Sequence, residues 1–280
     1  MAPLRHPVML AAVVALGLPL LTGVGAASAA PCPEASPAVG VASTPSGHGF
    51  YVVSQDGCIG TAGDAANAGQ PPGPLDRPVV GMAVDGATGR YWEVAGDGGV
   101  FGFGGAPFFG STGGMRLNQP IVGMAASPDG GGYWLVARDG GIFAFGDARF
   151  LGSTGAIHLN QPIVGMAATP DGGGYWLVAS DGGIFAFGDA RFSGSGGGTP
   201  LNQPVVGMAA SPDGGGYWLV ARDGGVLTFG DAVFRGSGAA PAGQQVTAPA
   251  VGIADTPTGN GYWVAFAVNT EVDAFGDAGE

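Results

Sequence analysis

Three short apolar runs, parted by turn-forming residues, recur along almost the whole chain. In the clearest copy the runs are Ile121 to Ala126, Tyr133 to Ala137 and Ile142 to Phe145, and the breaks are Pro128-Asp129-Gly130-Gly131 and Asp139-Gly140-Gly141. Short runs bounded by Gly, Pro and Asp read as strands, and no window carries the 3.6-residue period of a helix over the ~11 residues needed to see one. Asp-Gly between apolar runs predicts tight hairpin turns, because Gly adopts positive φ freely and Asp tolerates it while bonding its own backbone. A weaker stretch, Arg149 to Gly155, predicts a fourth and more exposed strand ahead of the connection Leu159-Asn160-Gln161-Pro162.

The Gly that precedes Met marks units at Gly81, Gly123, Gly165 and Gly207, 42 residues apart, with diverged copies beginning at Gly40 and Gly252. Ten residues after each marker stands an aromatic pair: Phe50-Tyr51, Tyr91-Trp92, Tyr133-Trp134, Tyr175-Trp176, Tyr217-Trp218 and Tyr262-Trp263. These pairs hold every Tyr and every Trp of the chain. Such side chains bury ~150–250 Å² each, so placing all of them at one repeat position predicts a core built by repetition and not an aromatic ligand cage. A unit of this length cannot bury its apolar face alone and must stack on its neighbours. The expected fold is all-β, a six-bladed β-propeller built from 42-residue repeats, with an open β-solenoid of the same units as the alternative.

The stretch from Gly123 to Ala137, Gly-Met-Ala-Ala-Ser-Pro-Asp-Gly-Gly-Gly-Tyr-Trp-Leu-Val-Ala, resembles the first two strands of NHL-type and WD-like blades. Val136 to Phe145 resembles the hairpin of PQQ-type blades. The whole unit is similar to glycine-rich repeats of proteins secreted by actinobacteria, and the resemblance spans residues 39–280. It implies a propeller and little about activity, because propellers host many unrelated functions. Ser127 to Trp134, with Thr169 to Trp176 and Ser211 to Trp218, also resembles the Ser-x-Asp-x-Gly-x-x-Trp Asp-box of sialidases. That resemblance implies a turn-stabilising element remote from an active site. Sialidase chemistry would further need a Tyr nucleophile, and every Tyr here is already a repeat-position residue.

The N-terminus carries Arg5 and His6, an apolar stretch from Val8 to Leu21, and Ala27-Ser28-Ala29, the pattern of a secretory signal peptide over residues 1–29. A Pro-rich leader, 30–38, then precedes the six-repeat domain, 39–280. Pro31 before Cys32 argues against a lipid anchor, and no second apolar stretch approaches the ~18–20 residues of a membrane span. A monomer is expected, secreted and then extracellular or cell-wall associated. Cys32 and Cys58 are the only cysteines. An even count in an exported chain predicts a disulfide pinning the leader to the first unit, and there is no Cys-x-x-Cys spacing for redox work.

Lysine is absent, and 9 basic residues face 21 acidic ones, for a net charge of −12. Loss of Arg5 with the signal leaves 8 against 21, or −13. Nucleic acid and anionic membranes bind through clustered Lys and Arg, so neither is an expected partner. His6, His48 and His158 stand in unrelated positions, which gives no metal spacing. There is no Gly-x-Ser-x-Gly elbow and no phosphate-binding Gly-rich loop followed by a helix. No catalytic residue, metal ligand or cofactor is therefore assigned. Asp56, Asp97, Asp139, Asp181 and Asp223 occupy one turn, and Asp64, Asp147, Asp189, Asp231 and Asp277 follow the third strand. Turn chemistry accounts for both series, whereas a calcium site needs about six to eight converging oxygens.

Two functions fit such a chain. The favoured one is a non-enzymatic binding or scaffold module that engages a protein or glycan through a loop face built by the repeats. The alternative is a propeller hydrolase or lyase acting on a cell-wall or environmental glycan, lactone or ester. Catalysis would sit where the repeat is broken, at Asp85, Arg90, Glu93, Asp255, Glu271 and Asp273. The loop face is expected at the end of the blades that carries Asn118, Gln119, Asn160, Gln161, Asn202 and Gln203 with Arg138, Asp139, Asp181, Arg222 and Asp223. The competing expectation is that these amides only satisfy backbone groups between blades. The last unit stops after its third strand, which predicts a last blade that is incomplete or sealed weakly by the leader.

Overall fold

The computed structural model describes residues 36–239, 248–268 and 271–279, and these form six antiparallel sheets of three strands each. Blade 1 is β1 (Ala38–Ser43), β2 (Phe50–Ser54) and β3 (Ile59–Ala62), and blade 2 is β4 (Val79–Val84), β5 (Tyr91–Ala95) and β6 (Val100–Phe103). Blade 3 is β7 (Ile121–Ala126), β8 (Gly132–Ala137) and β9 (Ile142–Gly146), and blade 4 is β10 (Ile163–Ala168), β11 (Gly174–Ala179) and β12 (Ile184–Gly188). Blade 5 is β13 (Val205–Ala210), β14 (Tyr217–Ala221) and β15 (Val226–Phe229), and blade 6 is β16 (Ala250–Asp255), β17 (Tyr262–Phe266) and β18 (Val272–Phe275). Within each blade the strands pair in chain order, as a meander joined by tight turns must.

The middle strands are buried along their whole length, since both of their faces meet other blades. The core is accordingly not one cluster but six, one in each seam between neighbouring blades. Each seam is centred on an aromatic pair. Trp92 meets Tyr133, Trp134 meets Tyr175, Trp176 meets Tyr217 and Trp218 meets Tyr262 with ring centroids 5.7–5.8 Å apart. Tyr51 meets Tyr91 at 5.3 Å, and Trp263 meets Phe50 of the first blade at 4.8 Å. Tilted pairs at such distances add about 0.5–1.5 kcal/mol to the area they bury.

The first strands lie innermost, each beside the first strand of the next blade. Every one carries a β-bulge just before its marker glycine, as between Ile121 and Gly123 or Ile163 and Gly165. A Cβ on Gly165 would lie 3.9 Å from the Cα of Gly207, one on Gly207 3.4 Å from Gly252, and one on Gly252 3.5 Å from Gly40. A methyl group would sit there at ordinary van der Waals contact and anything larger would wedge the strands apart, so the position admits only small residues.

A relay of main-chain hydrogen bonds closes the ring. The residue after each second strand donates its N–H to the Pro that opens its own blade and accepts at its C=O from the first strand of the next. Arg138 N–H bonds Pro120 O at 2.9 Å while Ile163 N–H bonds Arg138 O at 3.0 Å. The same pair recurs through Ser180 and Arg222, and Ala267 completes the circle, accepting from Ala38 N–H at 3.2 Å. The first and last blades therefore meet through the same main-chain joint as any other two, but Trp263 packs there on Phe50 and its indole N–H, unlike that of the other four Trp, has no partner among the described residues. This rules out the open solenoid. Blade 6 has the same three strands as the rest, so the expectation of an incomplete last blade does not hold for its sheet, while Pro37 and Ala38, expected in the leader, do take part in sealing the ring.

The expected fourth strand is also corrected. Arg149 to Gly155 forms no ladder. Its backbone is held by side chains instead, because buried polar atoms must find partners. Trp134 Nε1 donates to Arg149 O at 2.7 Å, and Tyr175 Oη accepts from Leu151 N–H at 3.0 Å and donates to Gly152 O at 2.6 Å. Residues 1–35, expected as a signal segment and most of the leader and holding Cys32, lie outside the described residues.

Candidate functional site

The turns between second and third strands and the connections between blades gather at one end of the ring. In blade 3 the Asp139 carboxylate accepts from Gly141 N–H at 3.0 Å, which clips its own turn. Asp97, Asp181 and Asp223 do the same at 2.9–3.0 Å. Thr154 then ties the outer segment down, donating its hydroxyl to Asp139 O at 3.0 Å and its N–H to Gly140 O at 3.2 Å. Gly140 has φ 76° and a Cβ there would strike the Thr154 hydroxyl, so only glycine fits.

On this rigid floor lie the connecting loops. Asn118, Gln119, Asn160, Gln161, Asn202 and Gln203 are all exposed, as are Arg138 and Arg222, while Asp139, Asp181 and Asp223 are half-buried. Among the described residues none of the six amides bonds a backbone group with its side chain; Gln161 Oε1 accepts from Ser180 Oγ at 3.4 Å. Two clefts open here. One, about 340 Å³, is lined by Gln119, Arg138, Asp139, His158, Asn160 and Gln161. The other, about 670 Å³, lies over blades 1 to 3 and is lined by Gln55, Arg77, Asp97, Met115, Asn118 and Gln119 with the apolar first-strand residues Val79 and Ile121.

The opposite end carries the Asp-box-like turns. Ser127 Oγ accepts from Gly132 N–H and donates to Asp129, both at 2.8 Å, and Asp129 accepts from Gly131 N–H at 3.1 Å. The bond from Ser127, then that from Gly131, holds the Asp129 carboxyl below its ordinary range. All six Tyr hydroxyls are committed to main-chain atoms in the seams, and burial pushes the Tyr91 phenol up to about 12. Among the described residues no group of three or more His, Cys, Asp or Glu is placed to share a metal ion.

The symmetry-breaking residues do not converge. Asp85 and Arg90 form a 2.5 Å ion pair within the first turn of blade 2. Burial opposes ionisation of Asp85, but bonds from Arg90, Thr88 and Ala87 outweigh it and hold its carboxyl low. Glu93 points from β5 into the seam with blade 1, at the position held by Leu135, Leu177 and Leu219 in blades 3 to 5. It is fully buried, neither carboxylate oxygen has a hydrogen-bond partner among the described residues, and burial with the nearby charge of Asp56 pushes it up to about 8. Asp255 ends β16 and is raised by burial to about 7, while Asp273, raised by burial and by Glu271, lies in β18 of the same blade. Blade 1 separates these two from Glu93.

One regular surface feature has no counterpart in the sequence reading. Phe108, Phe150, Phe192 and Phe234 are 64, 61, 58 and 55% exposed. Their 42-residue spacing is plain in the chain, but a fourth-strand expectation absorbs them.

The closed ring of meandering sheets is a β-propeller. It matches the β-propeller domain of Cps50 (Swd1) from Myceliophteria thermophila with a TM-score of 0.54 at 9% identity, over 86% of this chain and 82% of that one. At that identity the likeness concerns the fold alone. No family model and no curated protein matches the sequence.

Proposed function

We propose that the protein is an exported binding or scaffold module without catalytic activity, which engages a protein or glycan ligand through the loop face. The observation that carries this reading is the row of exposed amides along two clefts on a floor clipped by Asp and Thr, since recognition on rigid scaffolds concentrates in such loops. The hydrolase or lyase reading draws on the raised carboxyls of Glu93 and Asp255, and neither lines these clefts. Replacing Asn160 and Gln161 together by Ala is expected to leave stability within about 0.5 kcal/mol of the parent. The same variant is expected to lose binding to cell-wall fractions in a pull-down. Lost stability with unchanged binding would sink the loop-face assignment.

Export and the Cys32–Cys58 pairing belong to the same proposal. They rest on the signal-like pattern of residues 1–29 and on the two-cysteine count, and Cys58 is buried in a turn where later units have Gly. Peptide mapping without reductant is expected to yield one species joining the two cysteine peptides. Complete alkylation of both thiols before reduction would reject the pairing.

A further inference from the structure

Six hydrogen bonds of one kind join the blades, each from the first strand of a blade back to the blade before it. Val79 N–H reaches Gln55 O at 2.9 Å, and Ile121 to Gly96, Ile163 to Arg138, Val205 to Ser180, Ala250 to Arg222 and Ala38 to Ala267 span 2.8–3.2 Å. The joint from Val79 to Gln55 has the poorest surroundings. Tyr51 stands where the other five blades have Trp, so a Tyr–Tyr contact replaces the larger Trp–Tyr pairs of the next four seams. Thr112, Thr154 and Gly196 clip the second turns of blades 2 to 4 by donating N–H to Gly98, Gly140 and Gly182 at 2.8–3.2 Å. Pro71 takes that place over Gly57 in blade 1 and has no N–H to donate.

Against the same turn lies Glu93. Its side chain is fully buried where blades 3 to 5 have Leu, one carboxylate oxygen lies 2.9 Å from where a Cβ on Gly57 would stand, and neither oxygen has a partner among the described residues. The groups that face it do not compensate a charge: Asp56 on the turn of blade 1 is itself an acid, and Tyr51 of β2 and Tyr91 of β5 give their hydroxyls to Gly89 O and Gly69 O. Among the described residues no ion pair reaches it. A carboxyl in such a place keeps its proton, because burying an unpaired charge costs far more than burying a neutral acid. Losing the proton requires water, and water reaches Glu93 only if blades 1 and 2 part. We infer that the ring opens at the seam between blades 1 and 2, and that release of the Glu93 proton to solvent drives the opening. The cleft of about 670 Å³ on the loop face is walled by Val39 and Gln55 of blade 1 and by Val79 and Val80 of blade 2, so this opening takes its wall apart whatever the cleft binds. Two other places are less suited. The unpartnered indole N–H of Trp263, between blades 6 and 1, is a neutral donor with no proton to release in this way. Asp255 of blade 6 is half-buried, so water reaches it without a seam parting.

Hydrogen exchange of the full chain, read at single amides and corrected for the intrinsic rate, tests this at the six joints. From about pH 5 to 7.5 the protection of the Val79 amide is expected to fall about tenfold for each pH step of one, because the parted seam holds one proton fewer than the closed one. Ile121, Ile163 and Val205, at joints further round the ring, are expected to be at least about tenfold better protected than Val79 at the upper end of that range. In Glu93→Gln and in Glu93→Leu the protection of Val79 should stay within about threefold of one value over the same range, since neither side chain has a proton to release. The inference falls if Val79 keeps its protection throughout in the parent, or if its fall persists in Glu93→Gln. It falls also if all six joints share one protection factor and open together, or if Ala38 or Ala250 exchanges ahead of Val79.

Discussion

Trp176→Ala is expected to cost about 3–5 kcal/mol of unfolding free energy, read as a lower guanidinium midpoint. Trp176 is completely buried, packs on Tyr217 across the seam between blades 4 and 5, and bonds Arg191 O with its indole N–H. Truncation would leave a cavity between two blades and free the outer segment that follows β12. Trp176→Phe keeps most of the ring but loses that bond and part of the buried volume, so about 1–2 kcal/mol is expected. If the Ala variant unfolded at the parent's midpoint, the seams would not be the source of stability.

Glu93→Leu is expected to stabilise the protein, and increasingly so as pH rises. The carboxyl has an ordinary value of 4.5 and is raised to about 8 in the folded chain. Below 4.5 both states hold the proton and the group is silent. Between 4.5 and 8 the unfolded chain has lost the proton while the folded one keeps it, so stability falls steadily through this window and levels off above 8. The fall is on the order of 5 kcal/mol, since every pH step of one across that window contributes about 1.4 kcal/mol. Leu, the residue of blades 3 to 5 at this position, would remove both the slope and the burial of an unpaired polar group. Glu93→Gln would remove the slope alone. Unfolding curves at about pH 4.5, 6.5 and 8.5 decide the matter: a parent equally stable at all three would show that Glu93 is solvated or paired.

The architecture is legible in the sequence because its determinants are periodic. Marker glycines, aromatic pairs and Asp-Gly turns each occur at fixed offsets, and each serves an identical seam, bulge or turn in the folded ring. The outer segment is not legible in the same way: Arg149 to Gly155 has strand-like residues but satisfies its backbone through Trp134 and Tyr175, partners that lie in other strands and, for Tyr175, in another blade. Closure is hidden for a similar reason. The bond from Ala38 to Ala267 uses main-chain atoms, which no side-chain pattern announces. At the candidate site the amides and the clipping Asp residues fall at one end because strand alternation dictates it. Whether backbone groups occupy those amides depends on contacts that spacing does not encode. The seam around Glu93 shows in the sequence only as a Leu-to-Glu break, whose burial depends on Gly57, and whose ionisation on the charge of Asp56, both of a different blade.

The main-chain relay makes the joints between blades interchangeable. A seam between any two of the near-identical units marked by Gly123, Gly165 and Gly207 uses the same carbonyl, the same amide and the same Trp–Tyr pair, so removing or duplicating one such unit would leave every remaining joint chemically unaltered. Only the curvature of the ring would have to change. A gene built this way can alter its number of blades by recombination between its own repeats without first evolving a new interface.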